Sequence, residues 1–259
     1  MTARIVGPRA TFQEQVLRQL GRDICSGRFR PGQLLPSEPE LCERFSFSRI
    51  VIREAIKSLA AKGLIEVRRR VGTLVLEPTR WNLFDPDVIA WRAESIEVDP
   101  TMSRDLAELR RVVEPAAVRL AALRASDDAR RALRAAYMAM ERAVAGKGNY
   151  VKADLDFHAI ILSACGNQYL RQMQEAMSAI LQASFRIISE KPGGPAFSLP
   201  MHEAVCAAIE RGDADAAERA ALVLIDQADA DLVDRLQTRK TAPRPGAPIS
   251  TALLQEGTA

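Results

Sequence analysis

The sequence predicts a mainly α-helical protein with two parts, an N-terminal winged helix-turn-helix carrying a small β wing and a C-terminal all-α helical bundle. Residues 34–75 contain two capped helical segments followed by two short alternating segments. From residue 99 onward the chain is Ala/Leu-rich, poor in aromatic residues and helical in its periodicity, with glycine breaks. With 259 residues it is long enough for two domains.

The helix-turn-helix is outlined by its caps. Ser37, followed three residues later by Glu40, predicts a capping box at the start of the first helix. Ser48 caps the second helix, and Lys62-Gly63 ends it because glycine accepts a left-handed conformation. We expect the buried stripe of the second helix to include Ile50, Ala55 and Leu59.

Hydroxyl and basic side chains cluster on two neighbouring surfaces of this segment. The outer face of the second helix offers Ser48, Arg49, Arg53 and Lys57. Segments 64–67 and 73–75 alternate enough to pair as a hairpin, with a tip formed by Arg68, Arg69 and Arg70. Such surfaces can contact base edges and phosphates of duplex DNA, so we predict a DNA-binding domain and count Ser37 among its DNA-facing residues. The alternative is a small helical domain with a solvated charged face.

The charge distribution favours the DNA-binding interpretation. Residues 1–80 contain 15 Lys and Arg against 8 Asp and Glu, a balance of +7. Residues 81–259 contain 21 against 25, a balance of −4. The positive charge therefore lies in the half that contains the helix-turn-helix, as a contact with nucleic acid requires.

We place the DNA-binding domain at 8–79, a connector with a short helix at 80–98, the helical domain at 99–238 and a disordered tail at 239–259. The connector is too apolar for a free linker, and Asp85-Pro86 predicts a helix that staples the two domains together. The Gly193-Gly194-Pro195 run predicts a loop before a helix over 199–211.

The first residues, MTARIVGPRA, contain no hydrophobic region long enough to predict a signal peptide, no apolar run is long enough for a bilayer, and the four cysteines form no C-x-x-C pair. We therefore expect a cytoplasmic protein that does not associate with membranes.

The two histidines of the chain both fall in the helical domain. Asp154 and His158 are four residues apart and share a helix face, and His202 lies on another apolar stripe. Buried carboxylate and imidazole groups need partners. Three such ligands suit a divalent metal such as zinc, whereas the simpler alternative is an Asp–His hydrogen bond in the core.

Arg110 and Glu114 form an i,i+4 pair in the segment LRRVVEP. One interpretation is a surface salt bridge of about 0.3–0.5 kcal/mol. The other is a pocket arginine that holds the carboxylate of a small effector. Spacing alone leaves both interpretations open.

The N-terminal segment GRFRPGQLLPSEPELCERFSFSRIVIREAIKSLAAKGLIEVRRRVGTLV resembles the winged helix-turn-helix of the GntR family of bacterial transcription regulators. The resemblance implies DNA contacts from Ser48, Arg49 and Arg53 of the recognition helix and from Gly72 and Thr73 of the wing. Two positions depart from the family pattern. Pro39 stands where the family often has arginine, and the wing tip, which usually bears glycine, reads Arg69-Arg70-Val71-Gly72 and is more basic.

Residues 97–237 resemble the all-helical effector-binding (FCD) domain of the FadR-type branch of this family. The resemblance implies metal ligands at Asp154, His158 and His202, with Leu224 replacing a last histidine. It also implies that Arg110, together with Glu114, lies near the effector, and Arg186 is a second candidate for that role.

The segments WNLFDPDVIAWR, DLAELRRVVEPAAVRLAA and ADLDFHAIILSACGNQYL extend the resemblance to the sugar-acid regulators of the branch, including galactonate-responsive repressors. We therefore expect a homodimer that binds a pseudo-palindromic operator and releases it when a hexonate binds. The alternatives are a regulator responding to lactate, hexuronate or fatty acyl groups, a metal-dependent enzyme, and a DNA-binding protein whose helical domain only dimerises.

Overall fold

The computed structural model describes residues 11–94, 100–188 and 194–241, with side chains for 11–94, 101–185 and 194–231. Its N-terminal part consists of α1 (Phe12–Cys25), α2 (Glu38–Phe45), α3 (Arg49–Ala61), β1 (Ile65–Arg68), β2 (Gly72–Val75) and a 3-10 turn (Pro78–Arg80). This order confirms the winged helix-turn-helix.

The predicted caps begin the two helices of the motif. Glu40 accepts hydrogen bonds from both the backbone N–H and the hydroxyl of Ser37, each at 2.7 Å. The Ser48 hydroxyl accepts from the backbone N–H of Val51 at 3.5 Å. Between the helices, Ser46 adopts a left-handed conformation (φ 57°), which makes the turn tight.

The buried stripe of α3 differs from our prediction at one position. Its buried residues are Ile52, Ala55, Ile56 and Leu59, whereas Ile50 is 75% exposed. Two residues along an α-helix correspond to a rotation of about 200°, so burial of Ile52 turns Ile50 to the outside. The prediction for Ile50 was therefore wrong, while Ala55 and Leu59 are buried as expected.

The wing is a two-stranded antiparallel hairpin in which Ile65 pairs with Val75 and Arg68 with Gly72. The backbone N–H of Leu35 donates to the Thr73 carbonyl at 2.8 Å and ties the wing to the segment before α2. At the tip, Arg70 has a φ of 63°, a left-handed conformation that normally favours glycine.

Helix α4 (Pro86–Ala93) joins the two parts. The Asp85 carboxylate caps it and pairs with Lys62 at the end of α3. Val88 and Trp91 belong to the N-terminal core, whereas Ile89 belongs to the core of the helical domain. The connector therefore packs against both cores, as its composition predicts.

The C-terminal part is helical throughout its described ranges. Its elements are α5 (Pro100–Arg124), α6 (Asp127–Val144), α7 (Tyr150–Ala164), α8 (Gln168–Gln172), α9 (Gln174–Ile188), α10 (Gly194–Arg211) and α11 (Ala214–Thr241). Helices α5 and α11 pack together, as do α10 and α11, α6 and α7, and α7 and α9. Together they enclose one apolar core.

Helix α10 begins at Gly194, earlier than the predicted start at 199. A proline in the first turn of a helix sacrifices no backbone hydrogen bond, so Pro195 permits this early start. None of the helices in the described ranges combines the length and apolar character that a transmembrane span needs.

Candidate functional site

The three predicted metal ligands come together inside the helical domain. Asp154 and His158 lie on α7 and His202 on α10, all three are buried, and one ligand atom of each lies within 4.8 Å of the others. The Asp154 Oδ1 atom is 3.0 Å from His202 Nε2, and Asp154 Oδ2 is 3.9 Å from His158 Nε2.

The backbone of α10 orients the His202 ring. Its Nδ1 lies 2.9 Å from the Ser198 carbonyl, which can only accept, so Nδ1 carries a proton and donates it to that carbonyl. Its Nε2 then faces the Asp154 carboxylate. Both Nε2 and Asp154 Oδ2 are buried without a hydrogen-bond partner among the described residues. Buried polar atoms of this kind call for a shared proton or a metal ion.

A buried ion pair supports His158 from behind. The Arg110 Nε donates to Glu114 Oε1 at 2.7 Å, and the other Glu114 oxygen lies 3.5 Å from His158 Nδ1. Both side chains of the pair are less than one-tenth exposed. A carboxylate beside the distal nitrogen of a ligating histidine is a common supporting contact in metal sites. The interpretation as a surface salt bridge is therefore wrong, because α5 turns this pair into the core.

The charge states of the cluster fit ligand chemistry. Burial opposes ionisation of Asp154, but the neighbouring His202, His158 and Arg110 outweigh it and lower the pKa of the carboxyl. Burial lowers the pKa of His158 despite the opposing carboxylates of Glu114 and Asp154. A carboxylate beside two imidazoles is a donor set that zinc accepts, so these residues could hold a divalent metal.

A cavity of about 160 Å³ adjoins the cluster. Asp154, His158 and His202 line one side, with Arg110 beside them and Leu224 where a further ligand would have come from α11. The remaining polar lining consists of Tyr150, Ser184, Ser198, Gln227 and Asp231, and the apolar lining includes Leu181, Phe185 and Phe197.

The hydroxyls of Tyr150 and Ser198 lie 2.6 Å apart, and Ser198 donates to the Pro195 carbonyl at 3.1 Å. The Ser198 hydroxyl therefore contacts Tyr150 in the cavity lining, and the Ser198 carbonyl contacts His202.

The predicted effector residues occupy different places. Arg110 lines the cavity, whereas Glu114 lies behind it and holds Arg110 and His158. The side chain of Arg186 lies outside the described residues. Sequence reasoning missed Tyr150, Ser184, Ser198, Gln227 and Asp231, which are ordinary polar residues on separate helices. Only the four-residue spacings of Ser198 from His202 and of Tyr150 from Asp154 could have indicated two of them.

The predicted DNA-facing residues lie on α2, α3 and the wing. Eight of them are exposed, namely Ser37, Ser48, Arg49, Arg53, Arg68, Arg69, Arg70 and Gly72. Thr73 is half-buried. Arg53 donates to Glu38 at 2.8 Å and Arg68 to Glu66, while Arg49 has no ion-pair partner within the part of the chain that the structure describes. The exposed face of α3 and the basic wing tip are thus available to a duplex.

A winged helix-turn-helix joined to a helical domain with a buried polar cavity defines the class of ligand-responsive, DNA-binding transcription regulators. Residues 12–75 match the family described as bacterial regulatory proteins, gntR family, and residues 105–227 match the FCD domain. The chain is 36% identical over 214 residues to the galactonate operon transcriptional repressor of Escherichia coli K12, covering 82% of this chain and 93% of that protein. The chain therefore belongs to the GntR family, in its FadR-type branch.

Other relatives extend the comparison. The HTH-type transcriptional repressor NanR of Enterobacter sp. strain 638 is 27% identical over 214 residues, covering 82% of each chain. Among solved structures, that of Lar, which is described as controlling the Listeria monocytogenes agr system, has a TM-score of 0.63 at 18% identity and covers 88% of this chain and 99% of that one. Escherichia coli McbR/YncC has a TM-score of 0.52 at 18% identity, with coverages of 87% and 99%. The two structures support the fold.

The family assignment also decides one alternative. This family and the named relatives are transcription regulators, not enzymes. The metal-dependent enzyme is therefore rejected, and the FCD domain implies that the regulator responds to a small-molecule effector.

Proposed function

We propose that the protein is a homodimeric repressor of a sugar-acid catabolic operon and that a hexonate such as galactonate is its effector. The observation that carries this proposal is the cavity, which combines one buried arginine, three potential metal ligands and several hydroxyl-binding groups. The name of the relative at 36% identity supports galactonate as the first hexonate to test.

The carboxylate of the effector would bind to Arg110. Burial opposes the charge of this guanidinium, but Glu114 outweighs it and raises its pKa, so Arg110 stays charged. One carboxylate oxygen of Glu114 accepts from the Nε of Arg110, which leaves the other N–H donors of the guanidinium for a ligand. A carboxylate beside this buried guanidinium gains more from the charge than it would at the surface.

The hydroxyls of the effector would bind to the polar lining, namely Tyr150, Ser184, Ser198, Gln227 and Asp231. The cavity volume of about 160 Å³ corresponds to roughly five water molecules at about 30 Å³ each. A polyol acid of hexonate size suits these dimensions, whereas a fatty acyl thioester is far too large. Lactate and hexuronates carry the same carboxylate and remain in the test panel.

Asp154, His158 and His202 would hold a zinc ion, which would supply a Lewis-acid position beside the effector carboxylate. Leu224 offers no ligand atom, so a coordination position stays open for the effector or for water. The Ser198 carbonyl orients the ring of His202, and Glu114 orients His158.

Two copies of the chain would place their recognition helices in successive major grooves, about 34–36 Å apart, of a pseudo-palindromic operator. Effector binding would favour an arrangement of the two heads that does not match this spacing. The loss of operator affinity is limited by the difference in effector affinity between the two arrangements.

A thermal-shift screen tests this proposal with hexonates, hexuronates, lactate and fatty acyl thioesters, each with and without chelator. A ligand at about 100 times its Kd should add roughly 2.7 kcal/mol of stability. We expect a shift with one hexonate that is lost with chelator. A hexonate shift that persists with chelator would remove the metal from the proposal, and a shift only with another class would remove the sugar acid.

Two adjacent arginines of α5 provide a matched pair of variants. Arg110 lines the cavity, whereas Arg111 is half exposed and pairs with Asp226 on α11. Arg110→Gln should abolish the hexonate shift, while Arg111→Gln should leave it intact. Equal shifts in both variants would contradict the role of Arg110.

A further inference from the structure

The recognition helix α3 carries one large apolar side chain where solvent would favour a polar one. Ile50 is 75% exposed, lies in the first turn of the helix and buries nothing in the free protein. Val51 is half-buried, and the remaining large apolar residues of α3 are Ile52, Ile56 and Leu59, all of which belong to the core. Packing therefore gives no reason for an isoleucine at this position.

The neighbours of Ile50 define its surroundings. Ser48 and Arg49 precede it, and Arg53 follows one turn later on the same side of the helix. All three are exposed, and Glu38 of α2 pairs with Arg53. Ile50 is thus an apolar point within the hydroxyl-bearing and basic surface that the DNA-binding class directs into the major groove.

Chemistry restricts the partner of an isoleucine in that groove. The N-terminal residues of a recognition helix lie against base edges. Most groups on these edges are hydrogen-bond donors or acceptors, and the C5-methyl group of thymine is the apolar one. An isoleucine pressed against a donor or acceptor would leave that group without water or a partner, which is unfavourable. Contact with a thymine methyl instead buries two apolar surfaces together.

We infer that Ile50 reads the C5-methyl group of a thymine in each half-site of the operator. Ile50 then supplies base specificity, while the flanking arginines supply phosphate contacts and contacts to guanine. The inference rests on the DNA-binding class of the protein and, for its two half-sites, on the proposed homodimer, and it is independent of the effector and the metal.

Deoxyuridine provides the test because it differs from thymidine only by the missing methyl group. A duplex is first selected from a randomised pool with the full-length protein, and each of its thymines is then replaced by deoxyuridine in both half-sites. Fluorescence anisotropy measures the Kd of the wild type, Ile50→Ser and Ile50→Val for each duplex. Because Ile50 is exposed, its variants should fold normally, and circular dichroism verifies this.

For the wild type we expect one thymine whose replacement weakens binding roughly fourfold for one half-site and up to roughly fifteenfold for both, as loss of a methyl contact implies. Ile50→Val should retain this discrimination, whereas Ile50→Ser should bind the thymine and uracil duplexes equally. The inference is overturned if the selected duplex contains no methyl-sensitive thymine, or if Ile50→Ser discriminates as well as the wild type. A change in oligomeric state with unchanged DNA affinity would overturn it too, by assigning Ile50 to a protein contact.

Discussion

Two arginine–glutamate pairs of this protein have nearly the same geometry and opposite surroundings. Arg53 and Glu38 meet at 2.8 Å on the predicted DNA-facing surface, with side chains 60% and 36% exposed. Arg110 and Glu114 meet at 2.7 Å beside the cavity, with side chains 7% and 8% exposed. Water screens the first pair but hardly reaches the second.

Burial, rather than distance, therefore decides what each pair does. The exposed pair contributes little to folding, so Arg53 can exchange Glu38 for a phosphate or a base at small cost. The buried pair is bound to the fold, because either partner alone would be an uncompensated charge in the core. The DNA surface thus has exchangeable charges, whereas the cavity has fixed ones.

The largest effect should follow from breaking the buried pair. Glu114→Gln leaves the Arg110 charge without its counter-ion, and we expect a loss of about 3–5 kcal/mol in the free energy of unfolding. Urea unfolding followed by circular dichroism measures it. Glu108→Gln on the exposed side of the same helix is the control and should change stability by less than about 1 kcal/mol. If Glu114→Gln also lost less than about 1 kcal/mol, burial would not explain the difference between the two arginine–glutamate pairs.

Removing an exposed arginine should affect DNA binding without affecting folding. For Arg49→Ala we expect a loss of about 1–3 kcal/mol in binding free energy, roughly 5- to 150-fold in Kd, if the guanidinium contacts a base. If it contacts only a phosphate, the slope of log K against log salt should fall by about 0.9.

Fluorescence anisotropy at several salt concentrations measures both quantities for Arg49→Ala. Arg104→Ala, an exposed arginine of the helical domain, is the control. Unchanged affinity and slope in Arg49→Ala would contradict the proposed DNA surface.

The wing tip offers a further test of the exposed arginines, because one of them, Arg70, has a strained backbone. Arg70 has a φ of 63°, so Arg70→Gly should stabilise the hairpin by about 1 kcal/mol while weakening DNA binding. Arg69→Gly removes the same charge without relieving a left-handed residue and should not stabilise. Both tryptophans lie in the N-terminal core, so their fluorescence follows its unfolding. Equal stability changes in the two variants would contradict the strain at Arg70.

The smallest effect should come from Glu38, the partner of Arg53 in the exposed pair. Glu38→Gln should change the free energy of unfolding by less than about 1 kcal/mol. Because the substitution releases Arg53 and removes a negative charge that would face phosphates, DNA binding should become tighter at low salt. Weaker binding would instead show that Glu38 orients Arg53 for its contact.

The local features of the fold were readable from the sequence because short-range chemistry determines them. Ser37, Glu40 and Ser48 act within one helical turn, and Asp85-Pro86 starts a helix by the same means. The four-residue spacing of Asp154 and His158 similarly placed both on one face of α7. Ile50 was wrongly assigned to the buried face of α3, because the prediction began that face at Ile50. In the structure the buried face begins at Ile52, which packs in the N-terminal core.

The remainder of the site depends on helix packing that no short spacing encodes. Glu114 supports His158 only because α5 packs against α7. Ser198 lies in the early part of α10, where the glycine-proline run had predicted a loop. Gln227 and Asp231 line the cavity from α11. Such polar residues are common on helix surfaces, so their type gave no indication of a pocket.

The most direct test of the proposed sensor is the affinity of the protein for a selected duplex as galactonate is added. We predict that galactonate weakens DNA binding of the zinc-loaded wild type by about 5- to 150-fold, the usual range of coupling between two sites. Asp154→Asn should bind the duplex normally in the absence of galactonate and respond little to it, and Arg110→Gln should do the same under conditions where circular dichroism shows that it is folded. If galactonate leaves the affinity of the wild type unchanged, or weakens the variants equally, the cavity is not the site that controls DNA binding through this ligand.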